Sequence, residues 1–289
     1  MKLRVYSKHV RVTKDKIIAG GRTVPLLILS PKHPTGNAPG VLWIHGGGYL
    51  LGMKEMVFMS QAYELVEQFG AVVVAPGYRL SLQAPYPAAL DDCYEALRYL
   101  RQNAETLRVN PSQLMVGGES AGGGLTAALC MMARDRGEVR VAYQMPLYPM
   151  LDNRDTETSK DNHARVWNTR RNHAAWRLYL RGLTGDTPPY AAPSRQTDYR
   201  GLPPAYTFVS TAEPFYAETL TYIDNLRQAG VAAEVDIYPG LYHAFDMMEP
   251  KREESKRATE RFQARFQYAM RHYFAAQPNP ETEKESVSS

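Results

Sequence analysis

The chain has 289 residues, 44% of them hydrophobic, and 34 Lys and Arg against 30 Asp and Glu, for a formal net charge of +4. That length and apolar share suit a single α/β domain with an insertion, and the small, dispersed charge provides no basic footprint for nucleic acid. Two cysteines, Cys93 and Cys130, each inside an apolar helical pattern, favour reduced, buried thiols over a disulfide framework and fit a reducing compartment.

In chain order, Leu3 to Val12 partly alternates polar and apolar residues, Gly20-Gly21 follows, and Thr23 to Ser30 is rich in Leu, Ile and Val. The pair reads as an antiparallel hairpin, which leaves no room for N-terminal helices. Lys2, Arg4, Lys8 and Arg11 interrupt any leading apolar run, and no stretch of about 18 uncharged apolar residues occurs anywhere. A soluble cytoplasmic protein with no membrane contact is expected. After a Pro- and Gly-rich loop, Val41 to Ile44 reads as a buried strand that runs directly into His45-Gly46-Gly47-Gly48-Tyr49.

Met56 to Gln68 carries apolar residues near helical spacing, Gly70 ends it, and Ala71 to Ala75 forms the next strand. Pro87 opens a second helix with Leu90, Cys93, Leu97 and Leu100 on one stripe, and Asn110-Pro111-Ser112 turns the chain into another strand. That strand ends in Gly117-Gly118-Glu119-Ser120-Ala121-Gly122-Gly123-Gly124, and a helix follows to Gly137. Strands alternating with helices argue for a mostly parallel sheet covered on both faces. Leu151 to Arg200 breaks the alternation: it is polar, carries Trp167, Trp176 and Tyr179, and reads as an insertion above the sheet. Regular structure resumes with a strand from Ala205 to Ser210, a helix to Leu226, a strand from Ala233 to Tyr238 and a last helix bearing Phe262, Phe266, Ala269 and Tyr273. Gln277 to Ser289 has the composition of a disordered tail.

Two of these turns carry chemistry. Three glycines after a strand expose backbone N–H groups of the kind an oxyanion requires, whereas Gly118-x-Ser120-x-Gly122 holds a serine on a strand-to-helix turn. Gly47, Gly48 and Ala121 are the expected oxyanion donors, with Tyr49, Trp167 and Trp176 as pocket walls. His45 reads as a support for the glycine loop. A serine needs a base and the base a carboxylate. His243 is the one histidine that follows a late strand inside a turn, in Pro239-Gly240-Leu241-Tyr242-His243-Ala244-Phe245. Glu213 and Glu218 compete as the acid, with Asp224 and Asp246 behind them. Glu213 is favoured because it comes immediately after a strand. No metal-ligand spacing, P-loop or dinucleotide motif occurs, so no metal or cofactor is expected.

These motifs resemble the hormone-sensitive-lipase branch of the α/β-hydrolases, which carries His-Gly-Gly-Gly followed by Gly-Asp-Ser-Ala-Gly-Gly. Here they stand as His45 to Gly48 and Gly118-Glu119-Ser120-Ala121-Gly122-Gly123. The likeness extends through Tyr78-Arg79-Leu80, Leu147-Tyr148-Pro149, Tyr190-Ala191-Ala192-Pro193 and Gly201-Leu202-Pro203-Pro204. It implies an α/β-hydrolase fold with an eight-stranded sheet. The core would comprise residues 1–150 and 201–276, the substrate-covering cap 151–200 and the disordered tail 277–289. It places Glu213-Pro214-Phe215 on the family's Asp-Pro-Leu motif, with one extra methylene in the acid. The implied activity is a serine carboxylic ester hydrolase on small-molecule, short-chain acyl esters, using Ser120, His243 and Glu213. An amidase or formamidase with the same residues, and a non-catalytic binding module on a hydrolase scaffold, are the alternatives. Some family members dimerise through the last strand and helix, so a homodimer is possible by analogy.

Overall fold

The computed structural model describes residues 8–34 and 36–278. Eight strands form one sheet in the order β1-β2-β4-β3-β5-β6-β7-β8. They are β1 (Val10–Ala19), β2 (Arg22–Pro31), β3 (Ala38–Ile44), β4 (Val72–Pro76), β5 (Val109–Glu119), β6 (Tyr143–Leu147), β7 (Ala205–Ser210) and β8 (Ala233–Tyr238). β1 pairs antiparallel with β2, and β2 with β4; from β4 to β8 every neighbouring pair is parallel. Side chains of β3 show why both faces must be covered: Leu42 and Ile44 enter one apolar core, Val41 and Trp43 the other.

The helices fill those faces. α2 (Ala88–Gln102), α3 (Ala121–Arg136) and α5 (Tyr216–Gln228) pack on the first core. On the opposite face lie α1 (Gln61–Phe69) and α7 (Glu253–His272). α7 buries Ala258, Phe262, Phe266 and Ala269, a stripe at helical spacing. Ser60 caps α1 by accepting from Ala62 N at 3.1 Å, and Gly70, in the left-handed region, ends it.

The first strand is displaced from the expected Leu3 to Val12: it spans Val10–Ala19, while residues 3–7 lie outside the described residues. Its Thr13-Lys14-Asp15-Lys16 run looks like a loop because β1 is an edge strand with mostly exposed side chains, and edge lysines are a usual guard there. The glycine pair does turn the chain, with φ of 55° and 75°. The stretch from 151 to 200 contains a helix that its polarity concealed, α4 (Thr169–Tyr179), which buries Asn172, Ala175, Trp176 and Tyr179. A short helix α6 (Phe245–Met248) follows the His243 turn. Residues 279–289 of the expected tail lie outside the described residues.

Candidate active site

Neighbouring strands β3 and β5 deliver the two glycine motifs side by side at their C-terminal ends. β3 is followed in the chain by β4 on one side and, in space, by β5 on the other, which makes this edge the place where an open α/β sheet leaves a crevice. Ser120 sits between β5 and α3 with φ 57° and ψ −118°, a conformation a non-glycine residue rarely adopts. Its carbonyl accepts from Gly124 N at 2.9 Å and Met150 N at 3.0 Å, while its own N–H donates to Leu147 O at 3.0 Å. Gly122 has to be glycine, since a Cβ there would stand 2.0 Å from the Ile44 carbonyl oxygen.

His243 reaches this serine from the turn after β8. Its Nε2 lies 2.8 Å from Ser120 Oγ, and its Nδ1 is hydrogen-bonded to Glu213 Oε2. The carboxylate can only accept at Nδ1, so that nitrogen carries the proton and Nε2 is free to accept from the serine hydroxyl. Glu213 comes from the loop after β7, where Ser210 N donates to its Oε1 at 2.9 Å. All three side chains are buried, Ser120 being the most open at 6% exposure. Tyr148 and Phe215 stand edge-on to the imidazole at 5.1 and 5.0 Å, and Trp167 lies 6.4 Å away.

The competing carboxylates go elsewhere. Glu218, on α5, accepts from Leu151 N at 2.6 Å and Asp152 N at 3.3 Å, and so grips the start of the 151–200 segment. Asp224 is exposed and pairs with Arg227 at 3.2 Å. Asp246 is buried in α6 and accepts from Gln61 Nε2 at 3.1 Å. Burial raises Asp246 from its ordinary range; burial, then the proximity of Asp246, pushes Glu119 up to about 8.

The glycine loop packs against the serine turn closely enough that a Cβ on Gly46 would sit 3.0 Å from the Glu119 carbonyl oxygen. Among the described residues the Gly47 and Gly48 amides donate to no backbone carbonyl, and the Ala121 amide opens α3. Trp167 lies across this loop: a Cβ on Gly48, whose φ is 61°, would be 2.1 Å from its Cη2. His45 holds the loop from below. Its Nδ1 bonds Gly46 O at 2.7 Å, its ring stacks on Tyr78 at 4.2 Å, and Tyr78 donates to His45 O at 2.9 Å. Burial lowers the His45 imidazole to about 4.

Tyr49 is buried with its ring stacked on Tyr179 at 4.0 Å and its hydroxyl donating to Met150 O at 3.2 Å. Trp176 packs against the same pair and is 4% exposed. The structure therefore puts Trp167, Phe215 and Tyr148 beside His243, and Trp176 beneath them in the aromatic cluster. Phe215 and Tyr148 carry a usable signal, each standing inside a motif, Glu213-Pro214-Phe215 and Leu147-Tyr148-Pro149. Cys93 and Cys130 are buried and unpaired, and among the described residues no group of three or more His, Cys, Asp or Glu could hold a metal ion. No helix among the described residues is long and apolar enough to cross a membrane.

Residues 41–247 match the family described as alpha/beta hydrolase fold. The chain is 34% identical to the AB hydrolase superfamily protein C1039.03 of Schizosaccharomyces pombe, over 76% of this chain and 67% of that protein. It is 31% identical to the carboxylesterase NlhH of Mycobacterium tuberculosis, over 82% of this chain and 76% of the relative. Among solved structures, a bacterial heroin esterase superposes with a TM-score of 0.86 at 33% identity, covering 91% of this chain and 85% of that one. With the eight-stranded sheet, the glycine loop and the serine turn in place, the chain belongs to the α/β-hydrolase family, in its hormone-sensitive-lipase-like branch.

Proposed function

We propose that the protein is a serine carboxylic ester hydrolase acting on short-chain acyl esters through an acyl-enzyme. The observation that carries this reading is the unbroken hydrogen-bond chain from Ser120 Oγ through His243 to Glu213, beside a glycine loop with undirected amides. Ser120 attacks the ester carbonyl as His243 Nε2 takes its proton, and Glu213 stabilises the imidazolium and fixes its tautomer. The oxygen that becomes negative is received by the N–H groups of Gly47, Gly48 and Ala121. His243 then passes the proton to the departing alcohol, and a water deprotonated by the same nitrogen releases the acid. The curated carboxylesterase and the solved esterase to which the chain is similar support the ester as substrate.

The segment 151–200 acts as the cap, tied to the Glu213 loop by Thr158 Oγ1 to Pro214 O at 2.8 Å and Asn162 Nδ2 to Ala212 O at 3.2 Å. Its histidines do not favour an amidase: His163 is exposed on Asp161 and His173 pairs with Asp155, and neither hydrogen-bonds to Ser120 or His243. The two buried thiols support a cytoplasmic, reducing setting. A homodimer formed along β8 is supported by that strand's place at the sheet edge and by exposed Ile237 and Tyr268.

Substituting Ser120→Ala tests the mechanism. It is expected to leave the fold intact and to cut turnover of a short-chain ester by several orders of magnitude. Retention of most of the activity would eliminate Ser120 as nucleophile.

A further inference from the structure

Charge that looks dispersed along the chain is gathered by the fold. Residues 151–200 hold nine Lys and Arg against six Asp and Glu, and so three of the chain's four net positive charges. The stretch from Thr169 to Arg181 has four arginines and no acidic residue. α4 turns Asn172, Ala175, Trp176 and Tyr179 inward, the last two onto Tyr49. Helical spacing therefore puts Arg170, Ala174, Arg177 and, just past the helix end, Arg181 on the opposite stripe, and all four are exposed. Asp152 pairs with Arg154, Asp155 with His173, Asp161 with His163 and Asp198 with Arg200, which leaves the stripe without a carboxylate partner among the described residues. Arg165 and Arg171 are in no ion pair either: Arg171 donates to the Arg165 and Val166 carbonyls, and Arg165 stacks over Tyr242 at 5.5 Å.

Solvated arginines need no partner, so the stripe alone points to nothing. Its direction comes from apolar side chains beside it. Leu51 and Met53 follow the glycine loop after β3, Leu82 lies in the loop after β4, and Leu183 comes just after α4; they are 67%, 60%, 60% and 37% exposed. β3 and β4 are parallel, so both loops leave the edge of the sheet that also carries Ser120. Ser81 N donates to Tyr49 O at 2.8 Å and Tyr86 N to Tyr179 O at 2.8 Å, which ties the loop after β4 to the glycine loop and to the end of α4. Four apolar side chains and an arginine stripe thus share one side of the molecule. A second copy of the chain would cover the leucines but bring the same arginines against these, with Glu157 and Asp186 as the unpaired acids of the segment left to meet them. A nucleic acid would meet the arginines but finds no stacking platform, since Trp176 and Tyr179 of α4 are buried. An anionic lipid surface answers both features, phosphate to arginine and acyl boundary to leucine.

We propose that this side of the molecule docks on an anionic lipid surface, with Arg170, Arg177 and Arg181 of the α4 stripe against headgroup phosphates and Leu51, Met53, Leu82 and Leu183 entering the interface. The contact is peripheral, since no helix among the described residues is long and apolar enough to cross a membrane. It replaces the expectation of no membrane contact, which rested on charge read along the chain rather than on the surface of α4. Docking does not depend on the ester-hydrolase reading, and its test uses no ester.

Co-sedimentation of the full chain with vesicles decides it. The protein is expected to pellet with vesicles of mixed phosphatidylglycerol and phosphatidylcholine, to stay in solution with phosphatidylcholine alone, and to be released as salt is raised. Each arginine at such a surface is worth about fivefold in partitioning, so Arg170→Gln, Arg177→Gln and Arg181→Gln combined should weaken binding by roughly a hundredfold. Leu82→Ser with Leu183→Ser should weaken it several-fold and leave its salt dependence unchanged. All five side chains are solvent-facing, and urea unfolding should show each variant as stable as the parent. If the triple variant fails to fold, Arg177→Gln alone, with its expected fivefold loss, decides. Equal binding to both kinds of vesicle, binding to neither, or a triple variant that binds like the parent would overturn the proposal. Vesicles ignored while a DNA oligonucleotide is bound would assign the stripe to nucleic acid instead. Vesicles ignored while the chain self-associates, with the leucine substitutions abolishing that association, would make the surface a contact between copies and equally defeat the lipid reading.

Discussion

Glu213 and Glu218 are five positions apart, follow the same strand and are both buried, yet they do opposite jobs because of what their oxygens meet. One Glu213 oxygen is fixed by Ser210 N and the other faces His243 Nδ1, whereas Glu218 spends its Oε1 on two backbone amides of the cap junction. Glu213→Gln offers Nδ1 an amide that can donate as well as accept, so the imidazole can settle in the wrong tautomer. It is expected to lower kcat by about 10³- to 10⁴-fold. Glu218→Gln keeps an acceptor for Leu151 N and is expected to stay within roughly threefold. A steady-state comparison of the two decides the acid, and a larger loss in Glu218→Gln would reverse the assignment. Sequence alone favours Glu213 by its place after the strand, and its motif match adds to that, but only coordinates show where the second carboxylate points. Ser120 and His243 are legible because strand, turn and glycines must all coincide there.

The glycine loop shows how an element stores and contains strain. Gly47, Gly48 and Tyr49 all have positive φ, of 116°, 61° and 62°, and the loop is braced by a buried His45 that must stay neutral. A histidine in the unfolded chain takes a proton near 6.5, but His45 in the fold resists protonation until about 4. Between those values the unfolded chain binds more protons, so His45 makes the protein lose stability as the pH falls from about 6.5 to about 4, by ~3 kcal/mol. The penalty is absent above 6.5. Urea unfolding of the parent and of His45→Gln should show the substitution costing most near neutrality and progressively less in acid. Equal differences at both ends of the range would mean that His45 titrates normally. Other elements were less readable than this loop. β1 is shifted because an edge strand shows both faces to water and loses its period. β6 has Gln144 and Pro146 among its five residues, so its apolar run is broken, although Gln144 is buried and bonded to Tyr222 at 2.8 Å and Pro203 O at 2.8 Å. α4 has a 3–4 period in Asn172, Ala175, Trp176 and Tyr179, but arginines on its outer face mask it.

The sheet order brings four loops to one edge: the glycine loop after β3, the serine turn after β5, the acid after β7 and the histidine after β8. In the proposed reading the 151–200 segment closes that edge, and its placement would set the room for substrate. Trp176 and Tyr179 are packed against Tyr49 and serve as the footing of α4. In the proposed esterase the wall would come from Trp167 across Gly48, with Phe215 and Tyr148 edge-on to His243. Trp167 is held by its packing and by one long hydrogen bond, Nε1 to Asn172 Oδ1 at 3.3 Å, on an irregular stretch before α4. Each methylene that meets such a wall contributes roughly 0.8 kcal/mol, or about fourfold in kcat/KM, and each that projects past it contributes almost nothing. The expected profile for p-nitrophenyl esters therefore rises from acetyl, peaks by about hexanoyl and falls beyond it. Trp167→Ala should flatten the short-chain preference and move the peak to longer acyl groups, leaving Ser120 and His243 in contact. A parent profile that climbs steadily to long-chain esters, or a Trp167→Ala profile that keeps the parent's peak, would show that a different surface measures the acyl chain.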